Sequence, residues 1–388
     1  MKLYNFDEHV DRTHTNSLKY DGRAMFFGKT DLLPLWVADM DFKTPDFIVD
    51  AIKKRAEHEV FGYTFRPESY TQSIVNWLKR RHNWEIKPEW ISFSPGVVAG
   101  LTMAIEALSK PGDGVIVQPP VYFPFFDSVK GTGRQMIENP LKLENGRYYF
   151  DLEDLKQKIT PTTKLLLLSN PHNPGGMAWN KEELTALANI CLENKIVIIS
   201  DEIHSDLIFD GFKHTPLAGI SEAIAQNCVI CMAPSKTFNT AGLTTSFLII
   251  PNKRHFVAYE RVMRLPHLHM GNIFGTIALE AAYTHGDEWL SQLLQYLQGN
   301  YSFLEDFFAA NLPQVKVMRP EATYLIWIDF SAFGLTDEAL NQKLIDAGVG
   351  LNRGVQFGKQ GSGFMRINIG CTRATLEEAL LRIKNAFQ

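Results

Sequence analysis

The chain has 388 residues, 45% of them hydrophobic and 21% charged, with a formal net charge of −4. That length allows two or three domains and a large core that needs no disulfide staples, while the charge gives no reason to expect nucleic acid or an anionic membrane as partner. No apolar run approaches the ~20 residues of a membrane span, and Met1-Lys2-Leu3-Tyr4-Asn5-Phe6-Asp7 lacks the apolar centre of a signal peptide, so a cytoplasmic protein is expected.

Residues 1–45 read as irregular and are expected to pack with a small C-terminal domain. A helix is predicted from Asp46 to Glu59, with Pro45 at its start. The aromatic loop Phe61-Gly62-Tyr63-Thr64 follows, then a second helix over residues 69–81. The short strand Ile91-Ser92-Phe93-Ser94 runs into Pro95-Gly96-Val97-Val98, which opens an apolar helix. Strand, glycine turn and helix start form a geometry that binds phosphate through free backbone N–H groups, although neither a Walker A pattern nor Gly-x-Gly-x-x-Gly is present.

Four more apolar runs read as buried strands: residues 115–118, 165–168, 196–200 and 229–232. After the first come Pro119-Pro120-Val121-Tyr122, and after the second Ser169-Asn170-Pro171-His172-Asn173-Pro174-Gly175-Gly176. The third ends in Asp201-Glu202-Ile203-His204, and the fourth in Ala233-Pro234-Ser235-Lys236-Thr237. A further strand is expected at residues 247–250. Strands alternating with helices predict an α/β fold with a mostly parallel sheet, and in such sheets ligands bind at the carboxyl ends of the strands. Every polar cluster just named lies at such an end.

Beyond Ile250 long helices give way to strands at 316–318, 324–330 and 364–369 with helices between and after them, a smaller α+β domain. The expected division is 1–45, 46–285 and 286–388. Cys228 and Cys231 fall in one predicted strand, where residues i and i+3 point to opposite faces, and read as core thiols. His267 and His269 have no further ligands nearby in the sequence, so no metal site is expected.

The polar inventory of the sheet edge comprises a phosphate-type helix start, an aromatic, an amide, a carboxylate, an imidazole and a lysine flanked by hydroxyls. A ligand matching all of these carries a phosphate, a flat ring with a nitrogen that must stay protonated, and a carbonyl for an amine to capture. Pyridoxal 5'-phosphate fits that description.

Asn-Pro-x-Asn-Pro-Gly, Ser-Asp-Glu and Ser-Lys-Thr, in this order, resemble the fold-type I pyridoxal-phosphate enzymes of the aminotransferase class I/II family. The stretches Arg12…Lys19-Tyr20-Asp21, Trp36-Val37-Ala38-Asp39-Met40-Asp41-Phe42 and Asp201–Leu207 resemble the bacterial cystathionine β-lyase, or cysteine-S-conjugate β-lyase, branch. That branch includes members that modulate maltose-system transcription. The resemblance implies the transferase-like fold, with a mostly parallel sheet of the seven-stranded type in the large domain. It also implies a homodimer, and a cysteine thioether such as L-cystathionine as substrate. Carried over position by position, it makes Lys236 the amine that captures the cofactor's carbonyl and later moves the α-proton. Asp201 would pair with the ring nitrogen, Asn173 with the ring oxygen, and Tyr122 would stack on the ring. Val97, Val98 and Ser235 would hold the phosphate, joined by Tyr63 of the neighbouring subunit. Arg366 would grip the substrate carboxylate, with Trp36 and Ala38 lining the pocket. Two positions depart from the general aminotransferase pattern: His204 replaces a tyrosine, and Thr244 stands where many members carry a phosphate-binding arginine. The expected reaction is α,β-elimination to a thiol, pyruvate and ammonia. An aminotransferase, or a lyase with an added transcription-modulating role, are the competing readings.

Overall fold

The computed structural model describes residues 2–388. Seven strands build the larger sheet: β1 (Ile91–Ser94), β2 (Gly114–Val117), β3 (Gln135–Glu138), β4 (Thr163–Ser169), β5 (Val197–Asp201), β6 (Cys228–Met232) and β7 (Ser246–Ile249). Their spatial order is β1-β7-β6-β5-β4-β2-β3. Six strands run in one direction, and β7 alone is antiparallel to both its neighbours, β1 and β6.

The apolar runs are continuous because both faces of this sheet are covered. Alternate residues enter separate cores. Leu166, Leu168, Ile198, Ile230 and Ile249 face one, while Leu165, Leu167, Ile199, Val229 and Leu248 face the other. Cys228 and Cys231 divide between the two in the same way and are free, buried thiols.

Helices α1 (Asp46–Ala56), α2 (Glu68–His82) and α3 (Val97–Leu108) precede or follow β1. Helix α4 (Ile273–His285) packs on α1 and α2, and α5 (Asp287–Asn311) leads into the second sheet. That sheet holds β8 (Lys316–Val317), β9 (Leu325–Asp329), β10 (Asn352–Arg353) and β11 (Phe364–Asn368), in the antiparallel order β8-β9-β11-β10.

The N-terminal stretch is more regular than its sequence indicates. Ser17 caps a short helix, Leu18–Asp21, by accepting from the N–H of Tyr20, and a second turn, Arg23–Phe27, ends at left-handed Gly28. Leu33–Pro34 pairs in parallel with Val349–Gly350. Two-residue pairings of this kind leave no periodic signal. Strand β3 also lacked one, since Gln135-Met136-Ile137-Glu138 lies at the sheet edge and is only partly buried.

Candidate active site

The carboxyl ends of β1, β4, β5 and β6 surround a cavity of about 270 Å³, near the lower end of the size of small-molecule sites. Val97, Val98, Tyr122, Asn173, Asp201, His204, Ser235 and Lys236 all line it. Ala38 reaches it from the N-terminal stretch. Three expected residues stand elsewhere. Arg366, on β11, lies one side chain behind the wall and bonds to Asn173. Trp36 packs its ring against Phe26 and Phe27, and only its carbonyl turns toward the site, accepting from Arg366 at 3.0 Å. Tyr63 is 98% exposed and away from its own chain's cavity.

Helix α3 starts directly at the cavity. Its first N–H groups, on Val97, Val98 and Ala99, precede the first helical bond, from Gly100 N–H to Gly96 O at 2.8 Å. Such N–H groups and the helix dipole suit an anion. Ser235, Thr244 and Thr245 line the same cavity. The Thr245 hydroxyl is buried without a partner. Where many members of the family that the sequence resembles carry an arginine, at Thr244, this chain supplies neutral hydroxyls.

Asp201 is buried at the end of β5, where Oδ1 accepts only the N–H of Ile203, at 3.1 Å. Burial pushes its carboxyl up to about 7, against that N–H and the charge of Lys236. Lys236 donates to the carbonyl of Ala38 at 2.6 Å. Burial brings its ammonium down to about 8, with Asp39 and Asp201 opposing and Arg366 reinforcing. Burial, together with the charges of Lys236 and Arg366, keeps His204 neutral, and its Nδ1 has no partner.

Arg366 is buried as well. Its partners are the side-chain oxygens of Asn173 (2.9 Å) and Asn352 (2.6 Å) and the Trp36 carbonyl. All three are neutral, and Nε has none. An interface ion pair would supply a carboxylate. A buried guanidinium on neutral acceptors is instead ready for an anionic ligand. His172, inside the asparagine motif, is structural: Nε2 donates to Pro120 O and Nδ1 accepts the N–H of Gly175.

The backbone of residues 36–42 ties these groups together. Asn368, on β11, donates to the carbonyls of Val37 and Asp39, both at 2.6 Å. Asn239 takes the N–H of Met40 and donates to Met40 O and Phe42 O. Arg12 forks onto Asp39 (2.9 and 2.8 Å) and reaches Asp41 (2.7 Å), and fully buried Lys19 holds both oxygens of Asp41 at 3.0 Å. The sequence displayed these residues, but only the fold joins them.

The family model for aminotransferase class I and II matches residues 30–383. The chain belongs to that family. It is 46% identical to cystathionine beta-lyase PatB of Bacillus subtilis over 98% of this chain and 99% of the other. Its fold matches a pyridoxal-phosphate-bound protein of Clostridium difficile 630, provisionally named an aminotransferase, with TM-score 0.98 and 48% identity over the whole of both chains. A pyridoxal-phosphate-bound C-S lyase of Staphylococcus hominis superposes with TM-score 0.92 at 34% identity, covering 99% of this chain and 98% of that one. The family's fold type I architecture, with its mostly parallel seven-stranded sheet, is the one described above. No helix among the described residues is long and apolar enough to cross a membrane.

Proposed function

We propose that this chain is a pyridoxal-phosphate-dependent carbon–sulfur β-lyase acting on cysteine thioethers, with L-cystathionine as the test substrate. The observation that carries the reading is the convergence of three ionisable groups, buried Asp201 and Arg366 and partly buried Lys236, none of which bonds to an opposite charge. Each needs what this cofactor and an amino-acid substrate bring. Asp201 would sit against the protonated ring nitrogen, and the amide nitrogen of Asn173 against the ring oxygen while its Oδ1 stays on Arg366. The α3 start and the hydroxyls of Ser235, Thr244 and Thr245 would take the phosphate, and Tyr122 the ring face. When bound, the cofactor supplies an electron-withdrawing ring that stabilises negative charge at the substrate α-carbon.

Arg366 would orient the substrate by a two-point bond to its carboxylate. Burial holds the Lys236 ammonium down to about 8, which favours the free amine that would take the α-proton. The β-sulfur then leaves as thiol, and water completes the conversion of the remaining carbon skeleton to pyruvate and ammonia. Neutral His204 presents a hydrogen-bonding ring beside Asp201 and Lys236. The working unit in this proposal is a cytoplasmic homodimer. The exposure of Tyr63 with Val60, Phe61 and Phe65 supports a neighbouring copy that receives Tyr63 at its phosphate.

The aminotransferase reading has its own support in the name of the Clostridium neighbour and uses the same lysine and arginine. One assay separates the two. Purified protein is mixed with pyridoxal phosphate and L-cystathionine, without a keto acid, and pyruvate and free thiol are followed together. Equal, sustained release is expected; turnover of amino acids only when a keto acid is added would assign the chain to transamination.

A further inference from the structure

Lys236 does not hold its carbonyl alone. The hydroxyl of Tyr324 donates to the same Ala38 oxygen at 3.0 Å, beside the 2.6 Å bond from Lys236 Nζ. Tyr324 is 1% exposed, and its ring stands edge-on to His204, with centroids 6.2 Å apart. Its placement is enforced. The preceding residue, Thr323, has φ of 72° and is fully buried, a conformation that a β-branched residue rarely adopts. Thr323 is kept there by its N–H to Leu207 O (2.7 Å) and by its hydroxyl, which exchanges bonds with the backbone of Leu325. Strain retained beside a residue that bonds to the cavity's Ala38 points to a task for that residue.

We propose that Tyr324 is a positioning residue for Lys236: by donating to the same Ala38 carbonyl, it keeps that oxygen from gripping the lysine fully, so the amine is released readily to the cofactor and substrate. A carbonyl oxygen has two lone pairs and accommodates both donors, but each donor draws electron density from the other. The bond from an ammonium is the stronger kind, so the loss of the tyrosine proton strengthens it most in the protonated state. This inference rests on reading Lys236 as the reactive amine.

The other charged groups acting on Lys236 are Asp39, Asp201 and Arg366. Tyr324 faces Asp39, Arg366 and Tyr122 as well as His204. None of them changes in Tyr324→Phe, which keeps the ring and its packing and leaves Ala38 O bonded to Lys236, so the variant is expected to fold.

The test uses cofactor-free protein. Lys236 is trapped with a small aldehyde and cyanoborohydride from pH 6 to 10, and its labelling is read by peptide mass spectrometry. In Tyr324→Phe the midpoint moves up by about half a pH unit, roughly threefold less free amine at a given pH below it. A midpoint that is unchanged or lower overturns the role of Tyr324. Wild-type Lys236 that resists trapping at every pH overturns the reading of Lys236 itself, a failure seen without the variant.

Discussion

Replacing Asp201 with asparagine should make the cofactor-free protein more stable and the cofactor less able to stabilise it. Asp201 is 6% exposed and has no cation bonded to it. Raising a carboxyl from its ordinary 3.8 to about 7 costs the folded state about 4 kcal/mol once the group is ionised. The sign follows from linkage. The folded chain holds the proton more tightly than the unfolded one, so the cost is absent below pH 3.8, grows up to about 7 and is constant above it. Asparagine removes the charge and keeps the acceptor for Ile203 N–H, but its buried NH2 lacks a partner, a loss of about 1–3 kcal/mol. A net gain of about 1–3 kcal/mol at pH 8 is expected. Urea melts at fixed protein concentration, at pH 8 and pH 5, with and without pyridoxal phosphate, measure it. The gain should shrink at pH 5, and added cofactor should raise the variant's stability less than the parent's, since ligand stabilisation scales with affinity. A variant less stable than the parent at pH 8 without cofactor, or one stabilised equally by it, would refute the reasoning.

Arg366→Lys keeps the charge and loses the fork, so KM for the amino-acid substrate should rise about 10- to 100-fold, with kcat affected less; an unchanged KM would remove Arg366 from substrate binding. Lys19→Met leaves Asp41 buried with Arg12 as its remaining cation and should cost about 1–3 kcal/mol in urea denaturation, whereas no measurable cost would mean that the Lys19–Asp41 pair does not stabilise the fold. Mixing Tyr63→Ala chains with Lys236→Ala chains, each nearly inactive alone, should restore activity if Tyr63 serves the partner's site, because a mixed dimer then contains one site with both residues. No recovery after demonstrated subunit exchange counts against that crossing.

The large sheet was legible because its strands are buried on both faces and their polar ends stand out against apolar runs. Lys236, Asp201, Asn173 and Tyr122 each follow such a run, and they meet at one cavity. Other parts were hidden for physical reasons. Tyr324 sits next to a strand of the second sheet and looks like one more core aromatic; only a positive φ at Thr323 turns it to Ala38. Asn239 and Asn352 reach the site through side-chain hydrogen bonds to residues distant in the sequence, which produce no periodicity. Trp36 was expected to line the pocket, but its ring packs on two phenylalanines of a short helical turn, itself unseen in the sequence.

The seven residues from Trp36 to Phe42 carry a consequence for how such a site can change. Arg366 and Lys236 rest on carbonyls two residues apart in this one segment. Substitutions there, or in the arginine, lysine and asparagines that hold it, cannot retune substrate grip while leaving the amine untouched. Variants selected for a new thioether by altering this segment should therefore show correlated shifts in cofactor capture. Independent adjustment of the two traits would have to come from positions such as Asn352, which touches the arginine alone among these groups.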